Sequence, residues 1–212
     1  ITGNYTYFGS TSAVIDFRHA VMPVLYCGVV GGVLGGLFSL MLIHGSRKIA
    51  PYRNNKPYVV AGLCGFSIAL IGLYSGQVTY GSGYEEATML VTGSGNLDHD
   101  YAYLKLLATV VSYWSGIPGG IFAPSLATGA GIGSHIADWL VTYPHGVIVL
   151  FGMVGYFSGV VQAPITAFVI VMEMTDQHEL ILPMMVIAFI ATAISRSICR
   201  TPLYCTLADP FR

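Results

Sequence analysis

The chain has 212 residues, of which 54% are hydrophobic and only 9% charged, and nine Lys and Arg against ten Asp and Glu leave a net charge of −1. Soluble domains carry about 25% charged residues, so this composition excludes a disordered chain and cannot coat a water-exposed globule. The charge balance offers no basic stripe for a nucleic-acid partner, and 26 glycines without a triplet repeat exclude collagen, leaving an integral protein of the lipid bilayer.

Residues 1–18 lack a basic start followed by an apolar core, so no signal peptide is read there. The chain begins at Ile and not Met, and is expected to be a fragment or a trimmed piece. Residues 21–43 contain no Asp, Glu, Lys, Arg or His and exceed the roughly 20 needed to span hydrocarbon. A basic loop with Arg47, Lys48, Arg53 and Lys56 is expected next, followed by the charge-free stretch 57–84. Glu85 and Glu86 open a polar region that runs through Asp98, His99 and Asp100. Residues 106–137 and 139–172 then lack Asp, Glu, Lys and Arg, and the last apolar stretch, 180–194, ends at Arg196 and Arg200.

A hydropathy count alone gives five or six spans, but the Gly and Pro placements argue for something less regular. Gly116, Pro118, Gly119, Gly120 and Pro124 crowd into one apolar run, and Pro164 and Pro183 are expected to interrupt others. Breakers at membrane depth free backbone polar groups, which is tolerated only where protein or a water-filled cavity satisfies them. The expected fold class is therefore all-α: a polytopic membrane protein of tilted, broken helices that line an internal path.

Gly28, Gly32 and Gly36, then Gly31 and Gly35, Gly129 and Gly133, and Gly155 and Gly159 recur at four-residue spacing, which lets helix backbones approach closely. The basic segments at 47–56 and 196–212 point to cytoplasmic faces by the positive-inside rule, with residues 98–100 outside. Cys27, Cys64, Cys199 and Cys205 form no C-x-x-C pair and are read as small hydrophobes.

The most informative segment is Ser115-Gly116-Ile117-Pro118-Gly119-Gly120-Ile121-Phe122-Ala123-Pro124-Ser125-Leu126. Paired glycines precede an expected helix start, and Pro124 sits where a first turn accepts it. The first N–H groups of a helix have no internal partner and carry roughly half an elementary positive charge. At membrane depth such an end can hold an anion without Lys or Arg, and neutral donors let the ion leave again. A purely structural kink is the other reading of the same residues.

Gly119-Gly120-Ile121-Phe122-Ala123-Pro124 resembles the G-[KR/G]-x-F-x-P signature of the CLC family of chloride channels and proton-coupled chloride exchangers. The likeness continues through Gly155 and Gly159, Ala163-Pro164-Ile165-Thr166, Glu173-Met174-Thr175-Asp176 and Leu182-Pro183-Met184 to Pro202-Leu203-Tyr204. Residues 1–212 together resemble the second, C-terminal half of that family's inverted-repeat membrane domain, its helices J to R, with the first half absent from this chain.

The resemblance implies chloride as the transported ligand. The backbone N–H groups of Ile121 and Phe122 and the hydroxyl of Tyr204 would bind it, and Gly119, Gly120 and Pro124 would shape the site. Two amides and a phenol are neutral, preorganised donors, which agrees with that role. The family includes passive, voltage-gated channels and proton exchangers. A compact sequence of this kind is expected to be prokaryotic, which favours the exchanger and a bacterial inner membrane, with protons as the second substrate. The resemblance further implies a homodimer, expected through the apolar surfaces of residues 165–172 and 180–194. It favours chloride over fluoride, whose specialised relatives diverge at the tyrosine. Gly81-Ser82-Gly83 resembles the family's other ion-site loop and is read as its counterpart, not as a chloride ligand.

Glu173 at the end of an apolar run is read as a helix-terminal carboxylate, with a proton relay as the alternative. His44, His99, His135, His145 and His178 show no metal-ligand spacing, and neither a metal nor a cofactor is expected. Ser158 within Gly155-Tyr156-Phe157-Ser158-Gly159 raises the remote reading of an intramembrane hydrolase, but neither a G-x-S-x-G elbow nor a paired histidine accompanies it. An enzyme is not expected. A structural scaffold is the third reading, and it predicts no ion at the Ile121 helix start.

Overall fold

Backbone N–H and C=O groups inside hydrocarbon must be satisfied within their own segment, so an apolar chain without a closed barrel has to be helical. A computed structural model describes residues 7–9, 20–95, 97–117 and 119–208, and among them there is no strand. The helices in chain order are α1 (Val21–Asn55), α2 (Pro57–Tyr74), α3 (Tyr84–Thr92), α4 (Tyr101–Trp114), α5 (Phe122–Trp139), α6 (His145–Val161), α7 (Pro164–Thr175), α8 (Ile181–Ile198) and α9 (Leu203–Ala208). A single 3-10 turn, His178–Leu180, leads into α8.

Among the described residues, only α1, α2 and the segment His178–Ile198 are long and apolar enough to cross a membrane, while α6 and α7 are shorter apolar helices. Of the expected breaks, those between Trp114 and Phe122 and before Pro164 are present, and a further one falls at Lys56. Lys56, with φ −139°, separates α1 from α2, and Pro57 and Pro164 occupy the first turns of α2 and α7. There the missing N–H costs no helical bond. The described residues thus form the irregular helical assembly that the glycines and prolines called for. Pro118 lies outside them, as do the segment before Ala20 (apart from 7–9) and the residues after Ala208.

Two expectations need correction. The basic stretch is not a loop: α1 continues for 35 residues and carries Arg47, Lys48 and Arg53 in its final turns, with only Lys56 beyond its end. Lys and Arg are good helix formers and are favoured near a helix C-terminus. Pro183 does not interrupt a helix either, because it lies in the first turn of α8, where proline is tolerated.

Helix α6 is apolar on every side, and all residues from Val147 to Val160 are buried. It packs against α1, α5 and α8, and the four-residue glycine spacings mark those contacts. A Cβ on Gly31 of α1 would lie 2.8 Å from Cα of Gly155, and one on Gly35 would lie 2.8 Å from the carbonyl carbon of Gly159. On α5, a Cβ on Gly133 would lie 2.7 Å from Cα of Val149, and one on Gly129 would lie 2.8 Å from Cα of Met153. Gly32 opens α1 toward α8, where a Cβ would lie 2.7 Å from the Ala191 carbonyl oxygen. These are backbone contacts, so no side chain can move aside.

By contrast α2 has only Gly72 buried, and leaves Tyr58, Leu63, Phe66 and Leu73 exposed on the surface of this chain. Gly62 and Gly65 of the same helix face open space. Replacing Gly155 with Leu is expected to lower stability by about 3 kcal/mol or more, since overpacking against rigid backbone cannot relax. Gly62→Ala should be neutral or stabilising by about 0.5–1 kcal/mol. Thermal unfolding of the full-length protein in detergent checks both.

Candidate functional site

The segment between α4 and α5 reverses the chain. Gly116 adopts φ +79°, a conformation open to glycine at no steric cost. The Ser115 hydroxyl donates to the Ser112 carbonyl and accepts the Ile117 N–H at 3.2 Å. Ile121 is the residue preceding α5, and no side chain caps this helix end. Pro124 contributes no N–H. The Ser125 N–H and hydroxyl both donate to the Ile121 carbonyl, at 3.1 and 2.6 Å, which anchors the first turn from within.

The helix start opens on a cavity of ≈ 210 Å³ whose wall includes Gly119, Gly120, Ile121 and Pro124. A Cβ on Gly119 or Gly120 would meet nothing within 4 Å, so these glycines keep the approach to the helix end clear. Phe122 turns its ring away, onto Phe157 of α6, in an edge-to-face pair with centroids 4.5 Å apart. That contact fixes the start of α5 against the central helix. The start of α5 is thus open to a cavity and carries no side-chain cap.

Tyr204 is placed beside this region by packing. Its neighbour Leu203 is fully buried in the apolar cluster that also holds Ile121, Leu106, Phe38 and Tyr156. Tyr204 itself is 44% exposed on this chain and does not line the cavity wall. Its phenol lies close enough to Tyr113, which does line the wall, for the two to interact electrostatically.

The residue that sequence reasoning missed is Lys105. The helix start is expected to hold an anion without Lys or Arg, and residues 106–137 carry neither, yet Lys105 stands one position before that stretch. Its side chain is fully buried in α4 and lines the same cavity. The ammonium donates to the carbonyls of Thr79 (3.0 Å), Tyr80 (3.2 Å) and Gly81 (3.1 Å), which engages all three of its protons. It thereby ties the loop between α2 and α3 to α4. Gly83, with φ +80°, closes this corner, where a Cβ would lie 2.9 Å from the Lys105 Cε and 2.5 Å from the Ala127 Cβ. The signal was available: a single cation inside an apolar helix is a functional hypothesis by default.

Other polar residues fall away from the cavity. Glu173 is exposed in the last turn of α7, and Asp176 ends that helix with φ +53°. Ser158 is 0% exposed in the α6 packing seam, and its carbonyl accepts the Thr192 hydroxyl at 3.4 Å. Buried there, Ser158 cannot meet a substrate, so the hydrolase reading has no site. His178 pairs with Asp176 at 3.2 Å and His145 with Ser134 at 3.1 Å, while His99 and His135, far apart in sequence, come together at 3.4 Å.

The described residues thus form a set of broken helices packed around α6, with the start of α5 open to a cavity. The chain belongs to the voltage gated chloride channel family, whose model matches residues 1–196. It is 29% identical over 220 residues to the H(+)/Cl(−) exchange transporter ClcA of Yersinia pestis, an alignment covering 94% of this chain and 45% of that protein. The ClcA of Cronobacter sakazakii is 30% identical over 196 residues, covering 86% of this chain and 41% of the relative.

Among solved structures, a CLC-type fluoride/proton antiporter matches with a TM-score of 0.79 at 21% identity, over 90% of this chain and 48% of that one. A slow cyanobacterial Cl−/H+ antiporter matches with a TM-score of 0.73 at 22% identity, over 95% and 49%. The chain thus spans less than half the length of the curated relatives it matches, and it belongs to a transport family, not an enzyme family.

Lys105→Met is expected to leave the carbonyls of residues 79–81 without their donor. Each lost charge-assisted bond contributes about 1.5–3 kcal/mol, so hydrogen exchange in residues 79–83 of the full-length protein should rise by at least tenfold. Unchanged protection there would contradict the tie.

Proposed function

We propose that this chain is the C-terminal half of the membrane domain of a proton-coupled chloride exchanger, and that it supplies one wall of the anion path. The observation that carries this reading is the uncapped start of α5 at Ile121, opened by Gly119 and Gly120 onto a cavity that Lys105 also lines. The backbone N–H groups of Ile121 and Phe122 bind the chloride, Pro124 presents them, and the Tyr204 hydroxyl donates from the cytoplasmic side.

Lys105 raises the potential of the cavity without gripping the ion, because carbonyl oxygens already hold its protons. That division suits transport: neutral donors bind weakly enough to release, and a nearby engaged charge favours entry. No acidic side chain lines the described cavity, so proton handling falls to the N-terminal half. The names of the ClcA relatives favour exchange over passive, voltage-gated conduction, which is the second reading.

Residues 1–212 act as one unit that pairs with an N-terminal half of the same fold. Two copies associate through α7 and α8, whose Ile165, Leu182 and Phe189 are 64%, 59% and 49% exposed. The relatives' bacterial sources and the basic ends of α1 and α8 support a bacterial inner membrane with those ends cytoplasmic.

The test is made on the full-length protein in proteoliposomes, where an imposed chloride gradient should drive proton uptake. Chloride flux without proton movement would select the channel reading, and an absence of anion flux would overturn both. Gly120→Val should cut chloride flux at least tenfold with the fold intact, since the open space receives the side chain. Flux equal to the parent would remove the Ile121 helix start from the path.

A further inference from the structure

We propose that His99, His135 and Asp138 form a binding site for a divalent transition-metal ion of the zinc class, separate from the anion cavity. His99 immediately precedes Asp100, the residue before the first turn of α4, whereas His135 and Asp138 lie three apart on α5. That spacing puts the latter two on one helical face. One ligand atom from each residue lies within 4.8 Å of the others.

The distances suit a metal better than they suit direct bonding. The two Nδ1 atoms are 3.4 Å apart, and the Nδ1 of His99 lies 3.7 Å from a carboxylate oxygen of Asp138. Nitrogens about 2.05 Å from a tetrahedral zinc are separated by about 3.3 Å. A direct N–H···N bond would be shorter, at about 2.7–3.2 Å. The imidazole rings are stacked, with centroids 5.2 Å apart and 28° between their planes, so the exposed His99 ring turns about its side-chain bonds to share an ion with His135.

The cluster also has room and access. A cavity of ≈ 20 Å³ is lined by His99, Ser134, His135 and Asp138 together with Asp98, enough for about one water-sized occupant. The side chains of His99 and Asp138 are 79% and 47% exposed, so an ion can reach them from solvent. Two imidazoles, one carboxylate and a water make a four-coordinate set that zinc accepts.

Placement in the fold gives the site its side of the membrane. The C-terminal end of α4 sits at the basic end of α1, where the Trp114 indole donates to the Met41 carbonyl and Arg53 reaches Gly116. His99 lies at the other end of α4, about 20 Å away along a 14-residue helix. In the orientation proposed above, the cluster therefore faces the outside. A bound ion clamps the start of α4 to the far end of α5, the helix whose other end is Ile121.

The experiment titrates chelator-stripped full-length protein in detergent with zinc sulfate, in a chloride-free buffer, by calorimetry. One ion per chain is expected, with affinity falling roughly tenfold or more in His99→Ala and in His135→Ala. His178→Ala, which removes another surface His–Asp pair, should bind as the parent does. Zinc should raise the unfolding temperature of the parent but not of His99→Ala. Asp138→Asn keeps the side-chain shape and supplies the same comparison if a histidine variant misfolds. Parent-like affinity in the His99, His135 and Asp138 variants, or equal loss in His178→Ala, would overturn the site. Chloride takes no part in the titration, so failure here leaves the anion path standing.

Discussion

Helix α6 can lie at the centre of the described structure because a glycine stands on at least one side where it crosses α1 and α5. Inside hydrocarbon no hydrophobic force draws helices together, so association depends on van der Waals contact and on polar groups that find partners. Gly31 and Gly35 of α1 meet Gly155 and Gly159 of α6 along one line, and Gly129 and Gly133 of α5 meet the backbone of Gly152, Met153 and Val149 along another. Side-chain hydroxyls and an amide knit the same seam. Ser195 and Thr192 of α8 donate to the carbonyls of Gly159 and Ser158, while Gln162, at the end of α6, donates to Ser195 and to the Cys199 carbonyl. The position of α5, and through Phe122 and Phe157 the position of its first turn, follows from that contact.

The electrostatics of the cavity divide between two kinds of positive group. The start of α5 offers partial charge on groups that can touch an ion, while Lys105 carries a full charge that carbonyls hold in place. The loop between α2 and α3 is drawn into this arrangement because it supplies those carbonyls. The three hydrogen bonds hold the Lys105 ammonium in place between α4 and that loop.

What is exposed on this chain also has a physical reading. Helix α2 is apolar but packs only part of its surface, and the cavity beside Ile121 is lined by α2, α4, the start of α5 and the loop between α2 and α3. The chain spans less than half the length of its ClcA relatives.

Much of this was legible in the sequence, because its strongest signals are local. Charge depletion required a membrane and hence helices, the glycine spacing marked the close contacts, and Gly119-Gly120 ahead of Pro124 marked an open helix start. Each depends on chemistry within a few residues. The end of α1 and the place of Pro183 were misread because helix boundaries depend on what the neighbouring turns can continue, and composition does not report that. Lys105 was passed over because its value lies in three carbonyls on another segment, 24 to 26 residues earlier. His99 and His135 gave no sign either, being 36 residues apart until α4 and α5 fold back on each other. Local backbone chemistry belongs to the sequence alone, whereas a site built from distant side chains exists only once packing brings them within reach.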